Sequence, residues 1–271
     1  MAWHHAAPAP ALRCWRRQPC AHYNLSMDMV SEVPAAEAAP RVEASPPPAY
    51  SDIAVGSLAF RRIMLRTQIL TEVDDAAAVL RQYAKPHYQA GDVVFISETA
   101  LAIMQGRARD FRSIKPTALA RWLSSRVYKS PYGVGLRSPY AMQYAFELAG
   151  AHRVLLGCAW HVVGRLFRRK GWFYAAAGPQ ARMMDAEHTM GVKQFYECVI
   201  PGPADPHGTC RRLKEASGMD VAIVDVNDIL PPWCVASTVN RLRARLLELS
   251  LTDNPLGQGD ERTPLGIWRP V

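Results

Sequence analysis

With 271 residues, 49% of them hydrophobic and 21% charged, the chain has the size and composition of one large or two small soluble globular domains. Its longest nearly apolar run, Val154 to Gly164, spans 11 residues and holds Trp160 and His161. A membrane-spanning helix needs about 20, so none is expected. The net charge of +8 is unevenly spread: residues 107–170 hold 13 Lys or Arg against only Asp110 and Glu147, leaving the rest slightly acidic. Such a block suits a site that holds a polyanionic substrate beside a divalent metal, and it equally suits a solvated basic face.

The six cysteines form no Cys-x-x-Cys pair and no secretory signal opens the chain, so free thiols and a cytoplasmic location are expected. Residues 1–56 read as a disordered Ala/Pro-rich extension, with the run Pro46-Pro47-Pro48 and too little apolar surface to offset chain entropy. Within it, Arg13, Arg16 and Arg17 without an acid among the first 26 residues resemble an organellar transit segment. The alternative is an upstream start codon, with Met27 or Met29 near the true beginning. Residues 57–271 are read as the catalytic domain.

Along that domain, Met64–Leu70 suggests a first strand and Asp74–Tyr83 a short helix opened by two acids. Gly91-Asp92 turns into the buried-strand run Val93–Ile96, and Ser97-Glu98-Thr99 open a helix that Gly106 ends. An amphipathic helix covers 117–127. The loop from Tyr128 to Tyr140 carries Lys129 and Arg137 among glycines, a weak phosphate signal that also fits plain turns. A helix at 141–148, a strand at 153–156 and a strand at 195–200 follow. Asp205, an N-cap with Pro206 behind it, starts a helix closed by Gly218, and the apolar run Val221–Val224 is a strand covered on both faces. Asn240–Leu249 is a basic amphipathic helix, and the turn-rich stretch 253–266 reads as an ordered loop returning to the site.

The chain lacks His-Glu-x-x-His, a Walker lysine loop, Gly-x-Gly-x-x-Gly and Gly-x-Ser-x-Gly, which excludes the common zinc-hydrolase, P-loop, dinucleotide and nucleophile-elbow patterns. His152 and His161 sit among apolar neighbours and read as core residues. The cluster Arg165, Arg168, Arg169 and Lys170 comes without a nucleic-acid-binding motif, so nucleic acid is not an expected partner. What remains is oxygen-rich: Asp185, Asp225, Asn227 and Asp228. Hard oxygen donors suit Mg²⁺ or Mn²⁺ bridging to phosphates, while Asp and Asn at a strand exit also make Asx turns.

Three stretches resemble the family of coenzyme F420-0:L-glutamate ligases, the gamma-glutamyl ligases. Gly91–Ala100 with Gln105-Gly106-Arg107 is similar to the family's Gly-Asp, apolar strand, Ser/Thr-x-Lys, helix and Glu-Gly-Arg pattern. Met184-Asp185, ahead of Ile200-Pro201 and Asp205-Pro206, resembles its Gly-Ile-Asp element followed by Leu-Pro and Asp-Pro. Val221–Asp228 resembles its strand ending in an Asp-Thr metal and nucleotide element. The stretch 253–266 resembles a bacterial branch of the family, so the likeness runs over roughly 64–268.

The resemblance implies an α+β fold of mixed sheets with flanking helices, a homodimer, and a ligase using GTP and Mg²⁺ or Mn²⁺. In that scheme GTP phosphorylates a substrate carboxylate, and the α-amine of L-glutamate attacks the acyl phosphate to give an amide, GDP and phosphate. Asp185 matches the metal-binding Asp, Asn227 and Asp228 fall on the Asp-Thr pair, and Asp225 is a further candidate ligand. Ser97 and Glu98 fall where the first loop approaches the nucleotide, and Arg107, Lys129 and Arg137 are candidates for phosphate or an acidic substrate tail. Thr99 stands where the family often has Lys, and Asn227 where it has Asp. These departures support a second reading, a non-catalytic member that binds a nucleotide or phosphorylated metabolite.

Overall fold

The computed structural model describes residues 47–127, 135–168, 172–188, 191–228, 231–257 and 261–271. It opens with β1 (Ala49–Val55) and β2 (Leu58–Leu65), an antiparallel hairpin whose two-residue turn places Gly56 at φ +62°. The ordered domain therefore starts ahead of Ser57. Ser51, Ile53 and Val55 alternate as half-buried residues with exposed neighbours, a pattern hidden by the Pro-rich composition around it. The first core strand also ends earlier than the expected 64–70. Leu70 reaches the core from the following loop instead.

Helix α1 (Ala76–Val79) is capped by Asp75, whose carboxylate accepts from the Ala78 N–H at 2.7 Å. It leads to β3 (Val93–Ser97) and α2 (Glu98–Met104). A short strand β4 (Arg109–Asp110) precedes α3 (Ala118–Ser124), α4 (Pro139–Ala149), α5 (Ala151–Leu166), α6 (Trp172–Ala177) and α7 (Pro179–Arg182). Then come β5 (Cys198–Val199), which pairs with β4, and α8 (Pro206–Ser217), with Asp205 and left-handed Gly218 at its ends. The chain closes with β6 (Val221–Asp225), β7 (Trp233–Ser237), α9 (Arg241–Leu249) and β8 (Leu265–Pro270).

The main sheet runs β1-β2-β8-β3-β6-β7, with β3 and β6 parallel and the other neighbours antiparallel. This is the mixed α+β arrangement the sequence implied. Successive strand residues serve opposite faces, as the period of two demands. Val94, Ile96, Val221, Ile223 and Ile267 pack toward α1, α2 and α8. Val93, Phe95, Ala222, Val224 and Trp268 pack toward α9, where Phe60 and Trp268 stack with centroids 4.5 Å apart. Helices α3 to α7 enclose a separate core around Met142, Phe146 and Val154.

The strand expected at 153–156 is instead the start of the sixteen-residue α5. A four-residue apolar run does not distinguish strand from helix. In α5 only Val154, Gly157 and Gly164 are buried, a one-sided stripe, and His152 and His161 are both exposed rather than in the core. No helix among the described residues is long and apolar enough to cross a membrane.

Gly266 faces Phe95 across the β3–β8 pairing, and a Cβ there would lie 2.3 Å from a ring that is fully buried. Gly266→Ala should therefore lower stability by about 1–3 kcal/mol, the usual cost of overpacking, read as a lower urea midpoint at unchanged slope.

Candidate functional site

The parallel register of β3 and β6, with Ser97 opposite Val224, brings two strand exits side by side. Strand exits of this kind are where α/β sheets place ligands. From β3 emerge Ser97, Glu98 and Thr99; β6 ends on Asp225. Asp185 arrives from a third segment just beyond α7, fixed by a two-bond bridge to Ile200 (2.8 and 3.0 Å). Thr99 joins two of these groups: its Oγ1 lies 2.8 Å from Asp185 Oδ2 and 2.9 Å from Glu98 Oε1.

One hydroxyl carries one proton. Thr99 can donate to one carboxylate only, so the other contact is a hydrogen bond when that carboxyl is itself protonated and donates to Oγ1. The electrostatics agree. Burial, then the charges of Asp225 and Asp185, raise the Glu98 pKa well above the usual carboxylate range. Burial pushes Asp185 up to about 6 against the hydrogen bond from Thr99. Asp225 is also raised by burial, opposed by the charge of Arg182 and the Asn227 hydrogen bond.

The three carboxylates line one cavity of about 900 Å³. Asn227 Nδ2 donates to Asp225 Oδ1 at 2.9 Å, and Arg182 Nε stands 3.5 Å from Asp225 Oδ2 with its guanidinium 4.4 Å above the Trp233 ring. The C-terminal loop closes one wall, as its turn-rich sequence suggested. Leu256, Arg262 and Pro264 line the cavity, and backbone bonds from Thr67 N–H to Arg262 O (2.8 Å) and from Ser97 N–H to Pro264 O (2.9 Å) hold the loop in place.

Of the residues singled out by sequence, Ser97, Glu98, Asp185, Asp225 and Asn227 come together at this cavity. Asp228 lies at the surface, accepting from Asn254 Nδ2 at 2.9 Å, and does not line it. Arg107 is turned to Gln180 (3.1 Å), with burial lowering its pKa, and Arg137 is exposed beside the Val127 carbonyl; neither lines the cavity. Lys129, Arg169 and Lys170 lie outside the described residues. Thr99 and Arg182 escaped sequence reading as site residues. Thr99 was visible only as a departure from a Lys, and nothing in the spacing marks Arg182.

Among the described residues no three His, Cys, Asp or Glu side chains form a ready metal-ligand set. The donor chemistry still fits a hard cation. Mg²⁺ is commonly held by one or two carboxylates, keeps several waters and draws further oxygens from phosphate. Glu98 and Asp185 supply such a pair, and the raised pKa values of three neighbouring acids mark a place where added positive charge is favourable.

A family model described as F420-0:Gamma-glutamyl ligase matches residues 64–228. That span is more than half of the chain, and the chain belongs to this family. It contains every residue of the carboxylate cluster and stops short of β7, α9 and β8, so the 253–266 stretch lies beyond it. A search of curated proteins gave no match.

The elevated acids make stability depend on pH in a defined direction. A carboxyl whose folded pKa is raised binds more protons folded than unfolded, so stability falls as pH rises above the unfolded value; for Asp185 the fall runs from about 4 to about 6, and for Glu98, raised well above the usual carboxylate range, it continues beyond that. Glu98→Gln should relieve this cost without losing the Thr99 contact. In metal-free buffer its melting midpoint should exceed wild type by roughly 3–8 °C at pH 7.5, taking about 2–4 °C per kcal/mol for a domain of this size. At pH 4 the difference should vanish.

Proposed function

We propose that the chain, as a member of the gamma-glutamyl ligase family, is a GTP- and divalent-metal-dependent amide ligase that adds L-glutamate to a carboxylic acid through an acyl phosphate. The observation that carries this reading is the pair Glu98 and Asp185, joined through Thr99 on the floor of a cavity inside the family-matched span. A divalent ion held by that pair would neutralise charge on the nucleotide phosphates and on the phosphoryl group in transfer. Thr99 fixes the two carboxylates relative to each other, so the pair is oriented before anything binds. Arg182 is a permanent cation in the same cavity, with planar donors suited to a carboxylate or phosphate. Leu256, Leu136 and Phe195 wall part of the cavity with hydrocarbon.

One observation favours the second reading, a member that binds without turnover. Both oxygens of Asp225 are engaged, by Asn227 and by Arg182, which leaves that carboxylate less available to a metal than its position suggests.

Purified protein with GTP, Mn²⁺, L-glutamate and a panel of carboxylic acids separates the two. The ligase reading expects GDP release that requires both acid and amine, with Asp185→Asn lowering kcat by about 10²–10³-fold, the range for loss of one electrostatic contact to a transition state. GTP that raises the melting midpoint while no acid and amine pair yields GDP would establish the binding protein instead.

A further inference from the structure

Helix α5 packs on α4 and α6 and buries only Val154, Gly157 and Gly164. A Cβ at Gly157 would lie 2.9 Å from the Phe173 carbonyl oxygen, so this close approach fixes which side of the helix turns inward. Away from it, Leu156, Trp160, Val163 and Phe167 recur at i, i+4, i+7 and i+11, one stripe along a helix. All four are exposed, Leu156 at 52% and Phe167 at 64%, and Val162 and Leu166 beside them reach 69% and 79%. Trp160 meets Trp172 of α6 edge-on with centroids 5.5 Å apart, and Phe167 stacks on Trp172 at 6.4 Å. None of the four stripe residues lines the carboxylate cavity. A contiguous apolar face of this kind on a water-facing helix marks an interaction surface.

Charge narrows what that face meets. From Leu148 to Met184 the sequence holds no Asp or Glu. Arg165 and Arg168 are exposed beside Leu166 and Phe167 and do not line the cavity either. Arginine stems lie along apolar surface while their charged heads stay in the polar layer. An apolar helix face carrying tryptophan, flanked by arginines and free of acids in its own segment, matches the boundary between headgroups and acyl chains of an anionic bilayer. At sixteen residues α5 is shorter than the about 20 that a span requires, so it would lie along the surface. A second copy docking by the same face would bring arginines and no acid from this segment to meet arginines.

We infer that α5, with Trp172 of α6, docks the protein on a bilayer surface rich in anionic phospholipid. Leu166 and Phe167 enter the headgroup boundary, and Arg165 and Arg168 meet lipid phosphates. This docking is independent of turnover at the carboxylate cavity.

Flotation of the full chain with vesicles of phosphatidylcholine alone, and of equal parts phosphatidylcholine and phosphatidylserine, tests it. Partitioning onto the anionic vesicles should be at least about 10-fold stronger and should weaken with salt. Phe167→Asp should lower that partitioning by about 10-fold or more. Leu242→Asp, on the exposed face of α9, should leave it unchanged. Both positions are at the surface, so the melting midpoints without vesicles should stay near that of the unaltered chain. Arg165→Glu should also weaken partitioning. No partitioning onto anionic vesicles, or equal losses in Phe167→Asp and Leu242→Asp, would overturn the inference. Binding that Arg165→Glu abolishes and Phe167→Asp leaves intact would be charge attraction without insertion and would overturn it too. A dimer in sedimentation that Phe167→Asp converts to monomer, with no vesicle binding, would assign the face to a second copy instead.

Discussion

Parallel pairing of β3 with β6 is the constraint on which the site depends. Two strands running the same way must release their chains at the same edge, and here they release Glu98 and Asp225 together. The β-bridge of Asp185 to Ile200 adds a third acid from another direction. None of these carboxylates attracts the others. The backbone hydrogen bonds hold them in place against their own repulsion and against desolvation, and their pKa values are raised in consequence. Strain of this electrostatic kind is what a cation or a proton relieves.

The surrounding residues lower the cost without removing it. Thr99 shares one hydroxyl between two acids, while Arg182 and Asn227 attend to Asp225. The walls are secured from further away. Buried Arg62 reaches Asp253 (2.9 Å) and the Ser250 carbonyl (2.9 Å), anchoring the start of the loop that closes the cavity. At its other end β8 enters the sheet between β2 and β3, and Arg269 grips Asp92 with two bonds of 2.9 and 2.7 Å. The loop over the carboxylates is thus held at both ends by charge-assisted pairs, which are stronger than neutral hydrogen bonds.

Features set by local physics were legible in the sequence. The runs that became β3 and β6 are continuous and apolar, and Asp75, Asn240, Asp205 and Gly218 cap helices where their side chains or backbone freedom require. Features set by distant partners were not. The first two residues of strand β8 read as part of the turn-rich stretch 253–266 because Pro264 and Gly266 flank Leu265, yet the strand sits mid-sheet because Gly266 leaves room for the Phe95 ring. The start of helix α5, residues 153–156, passed for a strand because so short an apolar run shows no helical period; several of the helix's unburied residues line the cavity. In the site, the acids at strand exits could be read, but their grouping through Thr99 and the approach of Arg182 arise from tertiary folding. The expectation that basic residues near 107–137 would face the substrate failed to anticipate that Arg107 and Arg137 settle on protein partners outside the cavity.

The central claim is that Glu98 and Asp185 together form a cation site whose acids give up a proton when it fills. Titration calorimetry of Mn²⁺ at pH 6 in buffers of differing ionisation enthalpy reads both binding and proton release at once. The account predicts saturable binding with about one proton released, since ligands must be deprotonated to bind metal. It further predicts that Glu98→Gln lowers the release to what Asp185 alone supplies at its pKa of about 6, and weakens the binding. Mn²⁺ binding that releases no proton and is the same in Glu98→Gln and Asp185→Asn as in the unaltered protein would contradict it.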